Sequence, residues 1–357
     1  MLVRARATID LEAIASNWTA LNHLSGAAET SAVVKANAYG HGATDVSRRL
    51  LKAGCRTFFV ATISEGIELR TNVGPEPHIF VFNGAAASEY NAAKNANIVP
   101  VINSLKQLQD WQSSEFASTK NMILHVDTGM NRLGISPNEL ADVTNLVDGA
   151  AVSTVMSHLA CAEEPDNEMN EYQRQLFSEI AGTWPEAKRS LSNSAGLALR
   201  SGAYALDMVR PGIAIYGGGI ELPTNKTLMP TITLEAPILS VFYAEVGSST
   251  GYGATATFNE RRRLATVGAG YADGISRSLS NKGSAAIEGE RCRIVGRVSM
   301  DLTTIDITDI GAQVQPGMAV EFIGRYAGLE QQAAAAGTLG YELLTGISPR
   351  VERVWHG

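Results

Sequence analysis

The feature that most constrains the fold is a repeated alternation, up to about residue 217, of short apolar runs with longer segments of helical apolar spacing. Short runs rich in Val, Ile and Phe predict strands, and a 3.6-residue apolar period predicts helices. Such alternation is typical of βαβ units with a parallel sheet. The predicted strands are Ala32–Val34, Thr57–Thr62, His78–Phe82, Ile98–Ile102, Met122–Val126, Ala150–Met156, Leu191–Ser192, Ala205–Met208 and Ile213–Tyr216. The predicted helices include Leu11–Leu24, Asp45–Ala53, Ser64–Arg70, Leu105–Trp111, Pro137–Leu146 and Glu171–Ile180.

Eight such units favour a closed (β/α)8 barrel, with an open doubly wound sheet as the alternative. The pattern changes at Gly217–Pro230, where three glycines and two prolines interrupt any periodicity. Later segments such as 232–236, 294–298 and 302–307 are strand-like, and only Gln331–Leu344 has a helical pattern. The sequence therefore predicts an α/β fold with an N-terminal TIM-like barrel over residues 1–230 and a β-rich C-terminal domain over 231–357.

Composition narrows the classes of partner. Hydrophobic residues make up 45% of the 357 residues and charged residues 18%, which indicates a large buried core. The chain carries 29 Lys and Arg against 36 Asp and Glu, a net charge of -7, which argues against general binding to nucleic acid or to anionic membranes. No stretch approaches the roughly 18 apolar residues of a membrane span. We therefore expect a cytoplasmic protein.

The cysteines argue against two kinds of stabilising site. Cys55, Cys161 and Cys292 are odd in number, far apart and without CxxC spacing. A disulfide framework and a zinc site are therefore not expected, and no other metal site is predicted.

A lysine follows the first predicted strand in the segment VVKANAYGHG. Lys35 would stand at the carboxyl end of a barrel strand, where barrel enzymes build their sites. Burial there would lower the pKa of the amine and make its neutral form available for imine chemistry. On these grounds alone, a solvated lysine at the strand edge is the alternative interpretation.

The same segment resembles the cofactor-lysine motif of the alanine racemases that use pyridoxal 5′-phosphate. The resemblance extends along nearly the whole chain in family order. It includes HVDTGMNRLGI at 125–135, MSHLACA at 156–162, SNSAG at 192–196, VRPGIAIYG at 209–217, GYG at 251–253, GYADG at 270–274 and GRVSMD at 296–301. It implies a barrel followed by a β-rich domain.

The resemblance implies a two-base racemisation. Lys35 would bind the cofactor covalently and then act as one acid/base group, and Tyr252 would act as the other on the opposite face. His158 and Arg210 hold the family positions that support the tyrosine, and Arg210 would face the pyridine nitrogen. Because a guanidinium keeps its proton, that ring nitrogen would stay unprotonated, which disfavours transamination.

The resemblance also implies the groups that hold the phosphate. These are Ser194, the backbone of Gly212 and Ile213, and the phenol of Tyr39. Ordinary loop chemistry would explain the same residues in the absence of the other motifs.

Further residues are implied at the substrate. Arg132 would bind near the substrate carboxylate, Met300 and Asp301 would lie at the substrate end, and Tyr271 would line the entrance channel. In the family the residues of the second domain reach the cofactor from the other subunit. The resemblance therefore implies a homodimer with shared active sites.

The sequence departs from the family pattern at two positions. Many members carry a carbamylated lysine two residues before the DTGM aspartate, where this chain has His125. Imidazole forms no comparable carbamate, so Arg132 must be positioned by His125 itself, a bound anion, water or other neighbours. Pro349 stands where some relatives place a phosphate-binding tyrosine.

The leading hypothesis is therefore interconversion of L- and D-alanine, to supply D-alanine for peptidoglycan or to consume it. A racemase of broader amino-acid specificity is one alternative, because His125 is unusual. A barrel-type amino-acid decarboxylase and a non-catalytic pyridoxal-phosphate carrier are others. The GYG tyrosine motif argues against the decarboxylase, and the second domain argues against the carrier.

Overall fold

The chain divides into two units with different kinds of sheet. A computed structural model describes residues 2–118, 121–147, 151–199, 202–220 and 227–357. One unit comprises Ile14–Ile215 and Gly219–Leu228, and the other comprises Met1–Ala13, Tyr216–Gly218 and Met229–Gly357. The first is built on parallel strands and the second mainly on antiparallel strands.

The parallel strands of the first unit form a TIM-like barrel. Its strands, in order around the sheet, are Glu29–Thr30 continued by Ala32–Val33, Thr57–Val60, His78–Val81, Val99–Ile102, Met122–His125, Val152–Met156, Lys188–Ser190 and Met208–Val209. Thr57–Val60 and Met122–His125 are buried along their whole length. Such strands are apolar on both faces because helices cover the outside of a parallel barrel.

Backbone hydrogen bonds close this barrel. Three N–H groups of the first strand donate to carbonyls of the last at 3.0 Å: Glu29 to Asp207, Ser31 to Val209 and Val33 to Pro211. On the other side of the last strand, Arg210 N donates to Ser192 O at 2.9 Å. The described residues thus form a ring of eight strands, as the alternation predicted.

Helices follow most of the barrel strands. The α-helices of this part of the chain are Leu11–Leu24, Ala43–Ala53, Ile63–Val73, Tyr90–Asn95, Leu105–Gln112, Leu140–Leu146, Glu168–Ala181 and Ser194–Ala198, and Lys35–Tyr39 forms a short helical turn with left-handed backbone. Short 3-10 turns lie at Ala87–Glu89, Glu115–Ser118, Pro137–Glu139 and Ile213–Tyr216. The predicted bounds of Leu11–Leu24 are confirmed. Pro137–Leu146, predicted as one helix, begins with a 3-10 turn.

Three predicted strands are misplaced or wrong. Ala205–Met208 overlaps the eighth barrel strand only at Met208, because residues 205–207 form a turn. The seventh barrel strand is Lys188–Ser190 rather than Leu191–Ser192, because its first two residues are polar and exposed and give no apolar signal. Ile213–Tyr216 is a buried 3-10 turn, since a short apolar run fits either kind of structure. Ala150, the first residue of another predicted strand, and residues 221–226 of the predicted linker lie outside the described residues.

The second unit carries an eight-stranded sheet. Its order is Arg262–Val267, Thr303–Asp306, Glu290–Ile294, Ser284–Ile287, Ala319–Ile323, Ile232–Ala244, Arg6–Asp10 and Glu352–His356. Ile232–Ala244 is 13 residues long and also pairs with Arg262–Val267, so the first six strands close on themselves. Ser249–Thr250 and Ala256–Thr257 form a separate hairpin.

Two further predictions for this unit need correction. The strand expected over 294–298 ends at Ile294, because Gly296 has a φ of +75° and a side chain there would meet Thr250 O. The helix expected over Gln331–Leu344 is two helices, Leu329–Ala336 and Gly340–Thr345. Gly337 ends the first of them in the left-handed conformation. None of the described helices is long and apolar enough to span a bilayer.

Candidate active site

The predicted site residues of the barrel gather at the carboxyl ends of its strands. Lys35 follows the first strand, His125 ends the fifth and His158 follows the sixth. Ser194 and Arg210 follow the seventh and eighth strands. Because all strands run in parallel, these side chains share one end of the barrel, which is the end where barrel enzymes carry their sites.

The turn that carries Lys35 is left-handed. Residues 36–39 have φ values of 51° to 53°, although none of them is glycine. This conformation costs roughly 1–2 kcal/mol per residue, so neighbouring groups must hold it. Ala38 N donates to Val34 O at 2.9 Å, and Gly42 N donates to Asn37 O at 3.0 Å. Strained backbone of this kind is concentrated at functional sites.

Glu65 stabilises the start of this turn, a role that no sequence motif indicates. Its Oε1 accepts Ala36 N at 2.9 Å, and its Oε2 accepts Ala61 N at 2.7 Å. Glu65 also forms a capping box with Thr62 at the start of helix Ile63–Val73. The Thr-x-x-Glu spacing is a sequence signal for the cap, but not for the contact with the lysine turn.

The Lys35 amine lies half-buried at the barrel mouth. Burial lowers its pKa, the nearby Arg132 guanidinium lowers it further, and Glu65 partly offsets both effects. Its Nζ lies 5.7 Å from the centre of the Phe82 ring. A larger fraction of neutral amine at neutral pH follows from this environment.

Arg210 is a buried cation, with 2% of its surface exposed. Its Nη1 donates to Ser190 Oγ and its Nη2 to Ser157 O. Its Nε is buried and has no hydrogen-bond partner among the described residues. Burial lowers the pKa of the guanidinium to about 9, so it remains protonated at neutral pH. An unpaired buried donor leaves a place for an acceptor from outside the chain.

Ser194, Gly212 and Tyr39 come together on neighbouring loops. Ser194 Oγ accepts Gly212 N at 2.9 Å and Ala214 N at 3.3 Å. A Cβ on Gly212 would lie 2.4 Å from Tyr39 Oη, so any larger residue there would displace the Tyr39 side chain. Ile213 begins the 3-10 turn that follows. Hydroxyls and backbone N–H groups in this arrangement suit an anion such as phosphate.

His158 is held beside the cations of the site. Burial lowers its pKa well below its usual value, and the charges of Arg210 and Arg132 lower it further. Gln173, which sequence reasoning missed, fixes the backbone here: its Nε2 donates to His158 O at 2.9 Å and its Oε1 accepts Ala160 N at 2.8 Å. A polar side chain within the buried face of helix Glu168–Ala181 was the available signal.

Arg132 lies on a loop that closes on itself. Asp127 N donates to Ile135 O at 2.9 Å, and Ile135 N donates to His125 O at 2.8 Å. The Arg132 side chain is exposed and hydrogen-bonds to none of the described residues. Its charge lowers the pKa of Lys35.

The four remaining predicted residues lie in the second unit. Tyr252 is 71% exposed and follows Gly251, whose φ is +77°. Tyr271 N donates to Ser299 O at 3.0 Å, so the Tyr271 turn is joined to the loop that carries Met300. The structure thus brings Tyr271, Met300 and Asp301 together on adjacent loops.

Asp301 is part of a salt-bridge cluster that the sequence did not reveal. Arg350 Nη2 donates to Asp301 Oδ1 at 2.8 Å. The same guanidinium is bidentate to the buried Asp273, at 2.7 and 2.8 Å. These bonds raise the pKa of Arg350 and fix the loops on which Tyr271 and Asp301 lie.

Both units of the chain match known protein families. The family model for the alanine racemase N-terminal domain matches residues 9–219, and the model for the alanine racemase C-terminal domain matches residues 231–355. The chain belongs to the alanine racemase family. A catabolic alanine racemase of Agrobacterium fabrum is 42% identical over 97% of this chain and 90% of its own length. An alanine racemase of Acidiphilium cryptum is 42% identical over 97% of each chain.

Solved structures of alanine racemases share the fold. The enzyme of Bartonella henselae, with covalently bound pyridoxal phosphate, superposes with a TM-score of 0.91 at 35% identity. That match covers 99% of this chain and all of the other chain. The biosynthetic alanine racemase of Pseudomonas aeruginosa also gives a TM-score of 0.91, at 33% identity over 99% of both chains.

Proposed function

We propose that this protein is an amino-acid racemase that interconverts L- and D-alanine with bound pyridoxal 5′-phosphate. The observation that carries the proposal is the half-buried Lys35 amine at the same end of the barrel as the buried Arg210, whose Nε lacks a partner among the described residues. Membership of the alanine racemase family supports the reaction and the substrate.

The barrel residues fit this cofactor. Ser194, the backbone N–H groups of Gly212 and Ile213, and the Tyr39 hydroxyl would hold its phosphate. The orphaned Arg210 Nε would donate to its ring nitrogen. When bound to an amino acid, the cofactor withdraws electrons from the α-carbon and makes the α-proton removable.

Lys35 would provide the covalent attachment and one proton-transfer group. Both roles need a neutral amine, and the lowered pKa of Lys35 increases the fraction of that form. Arg210 would keep its own proton and leave the ring nitrogen unprotonated, which limits the electron density that the ring accepts. Arg210 would thereby favour return of the proton to the α-carbon.

Tyr252 would supply the second acid/base group. Racemisation needs a group on each face of the α-carbon, and a phenol can donate or accept a proton there. Its side chain is 71% exposed and hydrogen-bonds to none of the described residues. We infer that Arg132 binds the substrate carboxylate and that Tyr271, Met300 and Asp301 line the approach to it.

A homodimer with shared sites follows from this proposal. In a single chain the Tyr252 side chain is open to water, and only a second surface would cover it. Leu239, Tyr243 and Val246, on or just after the long strand Ile232–Ala244, are 52%, 56% and 66% exposed. Exposed apolar groups along one strand favour a protein partner, and a second copy of this chain would cover them.

Two further proposals come from the sequence. We place the domain boundary at Pro230, and the two family matches, which end at 219 and begin at 231, support it. A cytoplasmic location stays a prediction.

The proposed function is tested with purified protein supplied with pyridoxal 5′-phosphate. We expect a visible absorption band from the bound cofactor and formation of D-alanine from L-alanine. Assays with serine, lysine and arginine would measure how broad the specificity is. A protein that neither binds the cofactor nor racemises alanine would refute the proposal.

A further inference from the structure

Glu65 joins the Lys35 turn to the neighbouring barrel strand. Its Oε1 accepts Ala36 N at 2.9 Å, and its Oε2 accepts Ala61 N at 2.7 Å. Ala36 directly follows Lys35, and Ala61 directly follows the second barrel strand, which pairs with the first. One carboxylate therefore ties together the carboxyl ends of the first two barrel strands.

The left-handed turn needs this contact at its first residue. Ala36 has a φ of 51° and a ψ of 49°, and its carbonyl accepts Gly40 N at 3.1 Å within the turn. Its own N–H bonds to a residue outside the turn, Glu65. Left-handed backbone is unfavourable for alanine, so an outside contact must fix the direction in which Lys35 leaves the strand.

The same carboxylate acts on the charge of the Lys35 amine. Burial lowers the pKa of Lys35, Arg132 on the loop after the fifth strand lowers it further, and Glu65 on helix Ile63–Val73 raises it. The amine in turn lowers the pKa of His158, on the loop after the sixth strand. A group that takes and returns a proton near neutral pH works best with a pKa close to that pH. Glu65 opposes the two effects that would leave the amine permanently neutral.

We propose that Glu65 is a positioning residue that acts through Lys35: it holds the strained turn, aims the amine into the barrel mouth and supplies the negative charge that lets the amine return a proton. This inference rests on the proposed function, since it takes Lys35 as the attachment and proton-transfer group. Glu65 itself would touch neither cofactor nor substrate. Its carboxylate has two separable effects, one on geometry and one on charge.

Cofactor binding tests the effect on geometry. Glu65→Ala removes the acceptor of Ala36 N. We expect the dissociation constant for pyridoxal 5′-phosphate, measured by titration of the visible band, to rise about tenfold. Thr62→Ala is the matched control, because it removes the cap of the same helix and leaves the contact between Glu65 and Ala36. An equal dissociation constant in Glu65→Ala and the wild type would overturn the proposal.

The substitution Ala36→Gly separates support of the turn from a merely structural role of Glu65. Glycine adopts positive φ without the penalty of alanine, so the left-handed turn should persist when the carboxylate is absent. We expect Ala36→Gly to restore most of the lost cofactor affinity in Glu65→Ala and to change the wild-type affinity little. The same factor of change in both backgrounds would contradict the proposal.

The pH dependence of cofactor binding tests the effect on charge. Attachment requires the neutral amine of Lys35, so the association rate rises with pH through the pKa of that amine. Loss of the Glu65 charge lowers this pKa, so the midpoint of the profile should move to lower pH in Glu65→Gln. It should stay near the wild-type midpoint in Glu65→Asp. Glu68→Gln, which neutralises an exposed side chain on the same helix, is the matched control. An unmoved midpoint in Glu65→Gln would overturn the proposal.

Hydrogen exchange follows the contact without any activity. With all proteins at saturating cofactor, the Ala36 amide should exchange at least about tenfold faster in Glu65→Ala than in the wild type, because its acceptor is gone. Equal exchange rates would show that Glu65 does not hold the turn.

Kinetics at saturating cofactor distinguish action through Lys35 from action on the substrate. Glu65→Ala should lower kcat about tenfold and leave KM for L-alanine within about twofold. A raised KM with unchanged kcat would place Glu65 at the substrate and would overturn the proposal.

Failure of the proposed function would give a different result. If the wild type fails to bind cofactor or to racemise alanine, the proposed function is refuted. If the wild type racemises alanine and the Glu65 variants behave otherwise than expected, only the role of Glu65 is refuted.

Discussion

Lys35 begins a turn with strained, left-handed backbone. Its amine lies near the Phe82 ring and the Arg132 guanidinium. Burial and Arg132 make it less basic, while Glu65 limits the change. Lys35→Ala should therefore lose the visible cofactor band and at least about 10³-fold of racemase activity, because it removes the attachment and one proton-transfer group together. Absorption spectra and D-alanine formation measure both effects. A Lys35→Ala protein that keeps its band would show that the attachment lies elsewhere.

Tyr252 is expected to act on the proton and not on cofactor binding. Tyr252→Phe removes only the hydroxyl of an exposed side chain, so the fold and the cofactor band should be retained. Racemisation should fall by about 10²- to 10⁴-fold. NMR in deuterated water follows the exchange of the α-proton with solvent. The enantiomer that loses this exchange in the variant identifies the face on which Tyr252 acts. Unchanged turnover would mean that another residue is the second base.

Acid should destabilise the protein through His125. Its pKa falls from 6.5 in the unfolded chain to about 4 in the folded one, so the unfolded state binds the proton first as the pH drops. The resulting stability is complete above pH 6.5 and is lost between pH 6.5 and 4, by about 3 kcal/mol in free energy of unfolding. The free energy of unfolding, measured with urea across this pH range, should change less with pH in His125→Phe than in the wild type. Identical slopes for the two proteins would show that His125 is not buried in the neutral form.

At the scale of elements, the loops at the barrel mouth fit together tightly. A Cβ on Gly212 would lie 2.4 Å from Tyr39 Oη, so Gly212→Ala must displace the Tyr39 side chain. We expect cofactor affinity to fall about tenfold or more, measured by titration with pyridoxal 5′-phosphate. Gly328→Ala is the matched control, because nothing lies within 4 Å of a Cβ there. Equal affinity in the two variants would contradict the role of this contact.

A helix, strand or turn can be predicted from the sequence when its own residues determine it, and cannot when a residue far along the chain does. Helix Leu11–Leu24 was predicted to its ends because its signals are local. Strand Lys188–Ser190 was misplaced because its first two residues, Lys188 and Arg189, are polar and exposed. The left-handed turn after Lys35 could not be predicted, since its residue types do not favour positive φ and it depends on the distant Glu65.

The candidate site was predictable to the extent that its motifs are contiguous. The motifs that carry Lys35, Arg132 and Arg210 could be recognised from the sequence. The groups that hold His125, His158 and Asp301 could not, because these are Asn103, Gln173 and Arg350, which lie at least 15 residues away along the chain. No short-range spacing encodes those contacts.

At the scale of the whole molecule, the proposed dimer makes a quantitative prediction. If Tyr252 of one subunit serves Lys35 of the other, Lys35→Ala and Tyr252→Phe subunits form mixed dimers with one intact site. Random exchange of equal amounts makes half of the dimers mixed, so about a quarter of wild-type activity should return. Enzyme assays after mixing, with sedimentation to establish the dimer, measure this recovery. If both residues of each site came from the same subunit, the mixture would stay inactive.

The central claim is that the amine at the end of the first barrel strand holds the cofactor, and chemical trapping tests it most directly. Borohydride reduction of the cofactor-loaded protein would make the link permanent, and mass spectrometry of its peptides would locate it. The account predicts a single phosphopyridoxyl group, on Lys35. A group on any other lysine, or none at all on protein that racemises alanine, would contradict it.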